Sequence, residues 1–399
     1  MTSAPHVLIC GTSTRAVADS AARAGYRVTT IDAFADIDQH PSVRALSAAR
    51  DPASLPTAPA IARAARAVDA DAVVYLSPFE NHRNAVSTLA AGRLLWGNPP
   101  AVLRRVRDAF LVAEALRPHG FAAPRAYDPN DPNVPNVRIV PSVPWLSKPF
   151  RSGGGNRIRP WRGEAVPRTS YLQQRVDGIP GSIVFVAARG ESVPLGFSRQ
   201  LIGDPHFGGT GYRYCGSILT GADDHQFADA AGVFKAAHAL AAFVTAEFGL
   251  VGINGIDFVT RDVVPFFLEV NPRWSSSVEL SERAFGLPCF SIHADACAQG
   301  RLPSFDCAAA LAQFSAVGKA IVYARHDGDV GDTATWLADP DVRDVPRSGQ
   351  HIRSGQPICS VFARAADSSS CYRLLVSRAA SVYAHFRTEA GVPAVTGAG

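Results

Sequence analysis

The chain has 399 residues, 47% hydrophobic and 19% charged, with a formal net charge of +4; this describes a globular protein of about two or three compact domains and excludes wholesale disorder. The small net charge, with no basic run or aromatic-basic repeat, argues against a nucleic-acid partner. Seven cysteines with no CxxC pair argue against a disulfide framework or zinc knuckle and for a reduced cytoplasm, and no stretch reaches the roughly 18 to 20 apolar residues of a membrane span.

His6 to Cys10 reads as a short buried strand. It runs through Gly11 into an Ala-rich amphipathic stretch to Ala24, then a second strand from Arg27 to Ile31 that ends at Asp32. This is a Rossmann-like βαβ opening. It lacks GxGxxG, so no dinucleotide is assigned to it. A third buried strand, Ala72 to Leu76, leads into Ser77, Pro78, Phe79, Glu80 and Asn81. Strand ends of α/β sheets commonly meet ligands, so Glu80 and Asn81 are candidate substrate contacts, or caps of the next helix. The unit closes near residue 100. Ala101 to His119 is helical in pattern, and residues 128–144 hold five prolines, which reads as a loop that links domains or covers a sheet edge.

A strand over residues 143–149 presents Lys148, and Ser152, Gly153, Gly154, Gly155 and Asn156 follow. Glycines leave backbone N–H groups free to close over phosphate oxygens. A triple glycine alone is more often a flexible loop. Lysine, however, occurs only at Lys148, Lys235 and Lys319, so one placed just before the glycines carries weight. Ser170 to Val176 and the strand Ser182 to Ala187 flank the turn at Asp177. Two strand-like runs then surround a Gly-rich loop, with Arg199, Gln200, His206, Arg213 and Tyr214 as polar or aromatic groups. No second His or Cys sits at metal-ligand spacing from His206.

Residues 252–273, GINGIDFVTRDVVPFFLEVNPR, form the chemical centre. Two β-rich runs flank Arg261 and Asp262, a hairpin pattern. Alternation places Ile256, Phe258, Val264, Phe266, Leu268 and Val270 on a core face and Asp257, Glu269 and Asn271 on the other. A turn near Val263 would bring the three oxygen ligands together, a set that suits Mg²⁺ with its open positions left for water and phosphate. The alternative is a solvated strand face. Helices are expected over residues 229–248, 275–285, 289–298 and 368–386. Residues 316–324 and 344–361 read as β-rich, and the tail to Gly399 is expected to be mobile.

At these residues the chain resembles the ATP-grasp superfamily. The resemblance implies a Rossmann-like pre-ATP-grasp domain over residues 1–100. A two-part ATP-grasp domain would cover 101–303, hinged near 173–181, followed by a small β-rich C-terminal extension with a final helix over 304–399. By that resemblance Asp257, Glu269 and Asn271 would hold the magnesium ions of Mg-ATP, or manganese in their place, and Arg273 would face the transferred phosphoryl group. Lys148 with Ser152, Gly153, Gly154 and Gly155 would hold the phosphates, and Gln173, Gln174 and Val176 would read the adenine edge. Gln173 stands where Glu is common, and Arg151, Arg157 and Arg159 stand where lids often carry lysine. Arg199, Arg213 and Glu80 are candidates for the substrate site.

The implied chemistry is an ATP-dependent carboxylate–amine ligation through an acyl phosphate. Substrates would be small molecules, glutamate among them, and a homodimer is compatible with the reading. Within the superfamily the chain resembles ligases related to biotin carboxylase, near the tyramine–glutamate ligase of methanofuran synthesis. Biotin carboxylase follows its Asn-x-Arg with a closely spaced Glu and His, whereas Trp274, Ser275, Ser276 and Ser277 stand here. A nucleotide-binding regulatory protein without turnover is the reading from a different class.

Overall fold

A computed structural model describes residues 4–48, 55–131, 143–221 and 225–388. Most of the proline-rich stretch and the tail past Thr388 lie outside the described residues. The N-terminal unit is a parallel sheet of β1 (His6–Cys10), β2 (Arg27–Asp32), β3 (Arg44–Ser47), β4 (Ala72–Tyr75) and β5 (Leu94–Leu95), ordered β3-β2-β1-β4-β5. Its central strands are apolar on both faces because helices cover both. Asp32 ends β2 by accepting from the Thr14 and Ala35 backbone N–H groups at 3.1 and 2.8 Å, which turns the chain toward Asp36.

Three further sheets follow. The first, β6 (Ala126–Tyr127), β7 (Trp145–Pro149), β8 (Arg159–Pro160) and β9 (Ser170–Gln174), is ordered β6-β9-β7-β8. The large antiparallel one contains β10 (Ile179–Ala188), β11 (Glu191–Ile202), β12 (Tyr214–Thr220), β13 (Gly252–Arg261), β14 (Val264–Asn271) and β15 (Ala316–Tyr323). After β16 (Gly328–Val330) come β17 (Val342–Arg343), β18 (His351–Ile352), β19 (Pro357–Ala365) and β20 (Phe386–Thr388). The large sheet runs β14-β13-β10-β11-β12-β15-β19-β17, so three C-terminal strands continue it; β16, β18 and β20 form a separate edge sheet. The helix Ala230–Phe248, capped by Asp229 at its start and by left-handed Gly249 at its end, packs its apolar face on the large sheet.

Two local expectations need correction. The single helix expected over 101–119 is two helices, Pro100–Val106 and Ala109–Leu116, because the Asp108 carboxylate caps the second by accepting from Phe110 and Leu111 N–H at 3.0 and 3.1 Å. In β14 a bulge lies between the Asp257–Glu269 and Phe258–Phe267 pairs, with Leu268 as the extra residue. An extra residue reverses the side-chain parity beyond it. Phe267 and Val270 are therefore the core residues of β14, while Val264 is exposed and Leu268 lines a cavity.

Candidate active site

The hairpin register pairs Asp257 with Glu269 directly and Gly255 with Asn271 one pleat on. Asn271 Nδ2 donates to Asp257 Oδ2 at 2.9 Å, and Gln200 Nε2 donates to Asp257 Oδ1 at 2.9 Å. Burial first, and the facing Glu269 carboxylate second, push the Asp257 carboxyl up to about 6. Two carboxylates that repel each other beside an amide oxygen form a hard-oxygen set which a divalent cation would relieve, so the residues fit magnesium. Among the described residues no three His, Cys, Asp or Glu side chains converge as a metal site; the amide completes this one.

A proton would compete with a divalent cation for Asp257. Above about pH 6 the carboxylate is ionised and free to take a cation; below it, the proton must first be displaced. The rise in Tm produced by added Mg²⁺ should therefore shrink as pH falls through about 6. A magnesium effect of equal size at pH 5 and pH 8 would show that Asp257 is not a ligand.

Arg107 was not singled out from the sequence, yet it ties the site together. It sits at the helix break and donates to Glu269 Oε2 at 3.2 Å, to the Val270 carbonyl at 2.7 Å, and to Asn81 Oδ1 and the Ser152 carbonyl at 3.2 Å each. One guanidinium thus joins the β13–β14 hairpin, the segment after β4 and the glycine loop. Asp108, a helix-capping residue in mid-pattern, was the available signal. Arg107→Met leaves the half-buried Glu269 without its ion pair, and urea unfolding should show a loss of about 1 to 3 kcal/mol; wild-type stability would contradict this role.

Arg273 is fixed in the same way. Its Nε donates to Glu80 Oε1 at 2.8 Å and its Nη2 to Asn271 Oδ1 at 3.2 Å. Burial would raise the Glu80 carboxyl, but Arg273 and Arg107 outweigh it and hold the group below its usual range. Glu80 is buried, lies outside the cavity lining, and orients Arg273.

Lys148 is buried on β7 and donates to Gln173 Oε1 on β9 at 3.0 Å. Both line a cavity of about 1590 Å³, as do Gln174, Val176, Asp257, Glu269, Asn271 and Arg273. The glycine loop closes one side: Tyr214 N donates to the Gly154 carbonyl at 3.0 Å, and Ser152 is held by Arg107 and Asn81. Gly155 has φ +74°, and a β-carbon there would overlap the Tyr212 carbonyl, so only glycine allows this approach. Arg213 lines the cavity, stacks on Tyr323 at 4.8 Å and donates to the Gly355 carbonyl. Arg199 is exposed and outside the lining; its neighbour Gln200 is the residue that strand alternation turns inward.

Residues 106–277 match the ATP-grasp domain family. This chain carries an ATP-grasp domain. No curated protein matches it in sequence. Among solved structures it is similar to pyruvate carboxylase from Rhizobium etli at 14% identity and TM-score 0.69, covering 96% of this chain but 36% of that one. It is also similar to the biotin carboxylase domain of 2-oxoglutarate carboxylase from Hydrogenobacter thermophilus, solved with MgADP and bicarbonate (15%, TM-score 0.70, 97% and 91% covered). An L-amino acid ligase from Bacillus licheniformis gives 15%, TM-score 0.67, and 96% and 98% coverage. At these identities the likeness shows the fold alone. No helix among the described residues is long and apolar enough to cross a membrane.

Proposed function

We propose that the chain is a Mg-ATP-dependent carboxylate–amine ligase. A small carboxylate, most simply an amino acid such as glutamate, takes the γ-phosphoryl group to form an acyl phosphate. An amine then displaces phosphate to give the amide, with ADP released. The observation that carries this reading is the meeting of Asp257, Glu269, Asn271 and Arg273 with Lys148 and the glycine loop around one cavity. Magnesium held by the hairpin would neutralise the phosphate oxygens during transfer.

The chain's own groups do the rest. Glu80 and Asn271 hold the Arg273 fork ready for carboxylate or phosphate oxygens. The loop over Gly153–Gly155, anchored through Ser152, excludes water that would hydrolyse an acyl phosphate. Lys148 and Gln173, with Gln174 and Val176 at the 173–181 hinge, receive the nucleotide, with residues 1–100 and 304–399 flanking the 101–303 grasp. A thiol route lacks support: burial raises Cys359, the cavity-lining cysteine, well above the usual thiol range. The stretch after Arg273 offers no free base for carboxylation, since Ser275 to Ser277 carry hydroxyls and Glu279 is engaged by Arg15 and Lys319. A methanofuran-like pathway rests on sequence resemblance alone.

The test is a pairwise screen of amino acids and amines for ADP formation by the full chain with Mg-ATP. The ligase requires ADP release that depends on both an acid and an amine. Release independent of both, across the screen, contradicts it.

A further inference from the structure

At about 1590 Å³ the cavity exceeds the roughly 300 to 1,000 Å³ of a single small-molecule site. Beyond the hairpin it continues between the loop after β2, through Ala33, Phe34 and Asp36, and the C-terminal strands, through Lys319, Asp344 and Ser360. None of these residues is among those read above as metal or nucleotide contacts.

Behind this wall lies a network in which buried carboxylates outnumber the buried cations that pair with them. Arg15, 2% exposed, pairs with Glu279 at 2.7 Å, Asp344 at 3.0 Å, Asp19 at 3.6 Å and Asp38 at 3.7 Å. Lys319 adds contacts to Glu279 at 2.8 Å and Asp344 at 3.8 Å. Two buried cations thus serve four carboxylates, and Asp36 is a fifth. Asp36 is 8% exposed, and its buried Oδ2 has no hydrogen-bond partner. Burial first, and Asp344 second, raise the Asp36 carboxyl well above the usual range. Arg347, a further cation on the lining, is exposed.

Geometry holds the two acids together. Asp38 accepts from the Asp344 and Val345 N–H groups at 3.1 and 2.8 Å, and Ile37 N donates to the Val345 carbonyl at 2.9 Å. The Asp344 side chain remains 20% exposed although protein surrounds it, as expected for a group that faces a cavity. An unpartnered buried carboxyl beside a cavity-facing carboxylate is costly unless a donor arrives. A primary ammonium brings three donors and one positive charge, and Ala33, Phe34 and Ile321 offer apolar wall for its carbon stem.

We propose that Asp36 and Asp344 form a subsite for a primary ammonium group of a substrate, a proposal that takes the word substrate from the ligase reading. The attacking nitrogen must be neutral to displace phosphate, so the bound ammonium is one that stays unreacted. It belongs either to the activated amino acid or to the far end of the amine.

Calorimetric titration of the full chain with Mg-ADP tests this. The probes are the standard amino acids, their des-amino acids, and straight-chain monoamines and diamines. Binding by amino acids but not des-amino acids assigns the ammonium to the activated acid; binding by diamines instead assigns it to the amine, and either supports the subsite. Asp36→Asn, which breaks no ion pair, should weaken that binding at least tenfold with ADP affinity unchanged. Asp344→Asn should do the same, read against its own ADP affinity because it also loses contacts to Arg15 and Lys319. No amino-dependent binding across the panel, or wild-type binding in Asp36→Asn, overturns the proposal. Amino-dependent binding with no ADP formed from any pair would remove the ligase reading and leave the subsite standing.

Discussion

Glu269→Ala and Asn271→Ala should each abolish most ATP-dependent activity while the protein remains folded. Both residues are on the cavity wall, opposite or one pleat from Asp257. Loss of a group that merely supports a metal ligand typically costs about 10- to 100-fold, so loss of a ligand itself should cost at least that. Glu269→Ala also strips Arg107 of an ion-pair partner, so Glu269→Gln is the companion that keeps a side chain for Arg107 to meet. Turnover at the wild-type rate in either alanine variant, at saturating Mg-ATP, would remove the hairpin from the site.

Lys148→Ala should weaken ATP binding by roughly ten- to hundredfold, since charge-assisted hydrogen bonds of this kind are worth about 1.5 to 3 kcal/mol. The lysine is buried, bonded to Gln173 and on the same cavity as the glycine loop. Lys235, exposed on the helix Ala230–Phe248, is the neutral reference. Lys319 is not: it lines the cavity and pairs with Glu279, so Lys319→Ala should lower stability and disturb substrate binding more than nucleotide binding. Equal ATP affinity in Lys148→Ala and Lys235→Ala, measured by titration, would make Lys148 structural.

What could be read from the sequence follows the range of the forces involved. The Asp257–Glu269 pairing was legible because a short turn sets the register of a hairpin. The bulge at Leu268 was not, because nothing in VPFFLEVN distinguishes Phe266 from Phe267 as the inward residue until the large sheet packs. Lys148 stood out through the scarcity of lysine, and the glycine loop through its composition. Arg107 escaped because its partners Asn81, Ser152 and Glu269 lie on three different elements far along the chain. Arg199 and Gln200 were named together, and only Gln200 faces the cavity, because the sequence did not fix which of two neighbouring strand residues turns inward. The Arg15, Lys319 and Asp344 network joins residues 329 positions apart at its widest, and no local pattern announces it. The C-terminal strands were expected as a β-rich extension; that β15, β19 and β17 would extend the large sheet depends on edge pairing with β12, which sequence leaves open.

The central claim is transfer of the γ-phosphoryl group to a carboxylate oxygen, and it can be followed atom by atom. With a productive acid and amine in hand, the acid is labelled with ¹⁸O in its carboxylate and the reaction is run to completion with Mg-ATP. The ligase breaks the bond between the acyl carbon and the phosphorylated oxygen when the amine attacks, so one labelled oxygen should appear in the released inorganic phosphate for each amide formed. Label in AMP, or product formed with phosphate free of label, would contradict the acyl-phosphate mechanism.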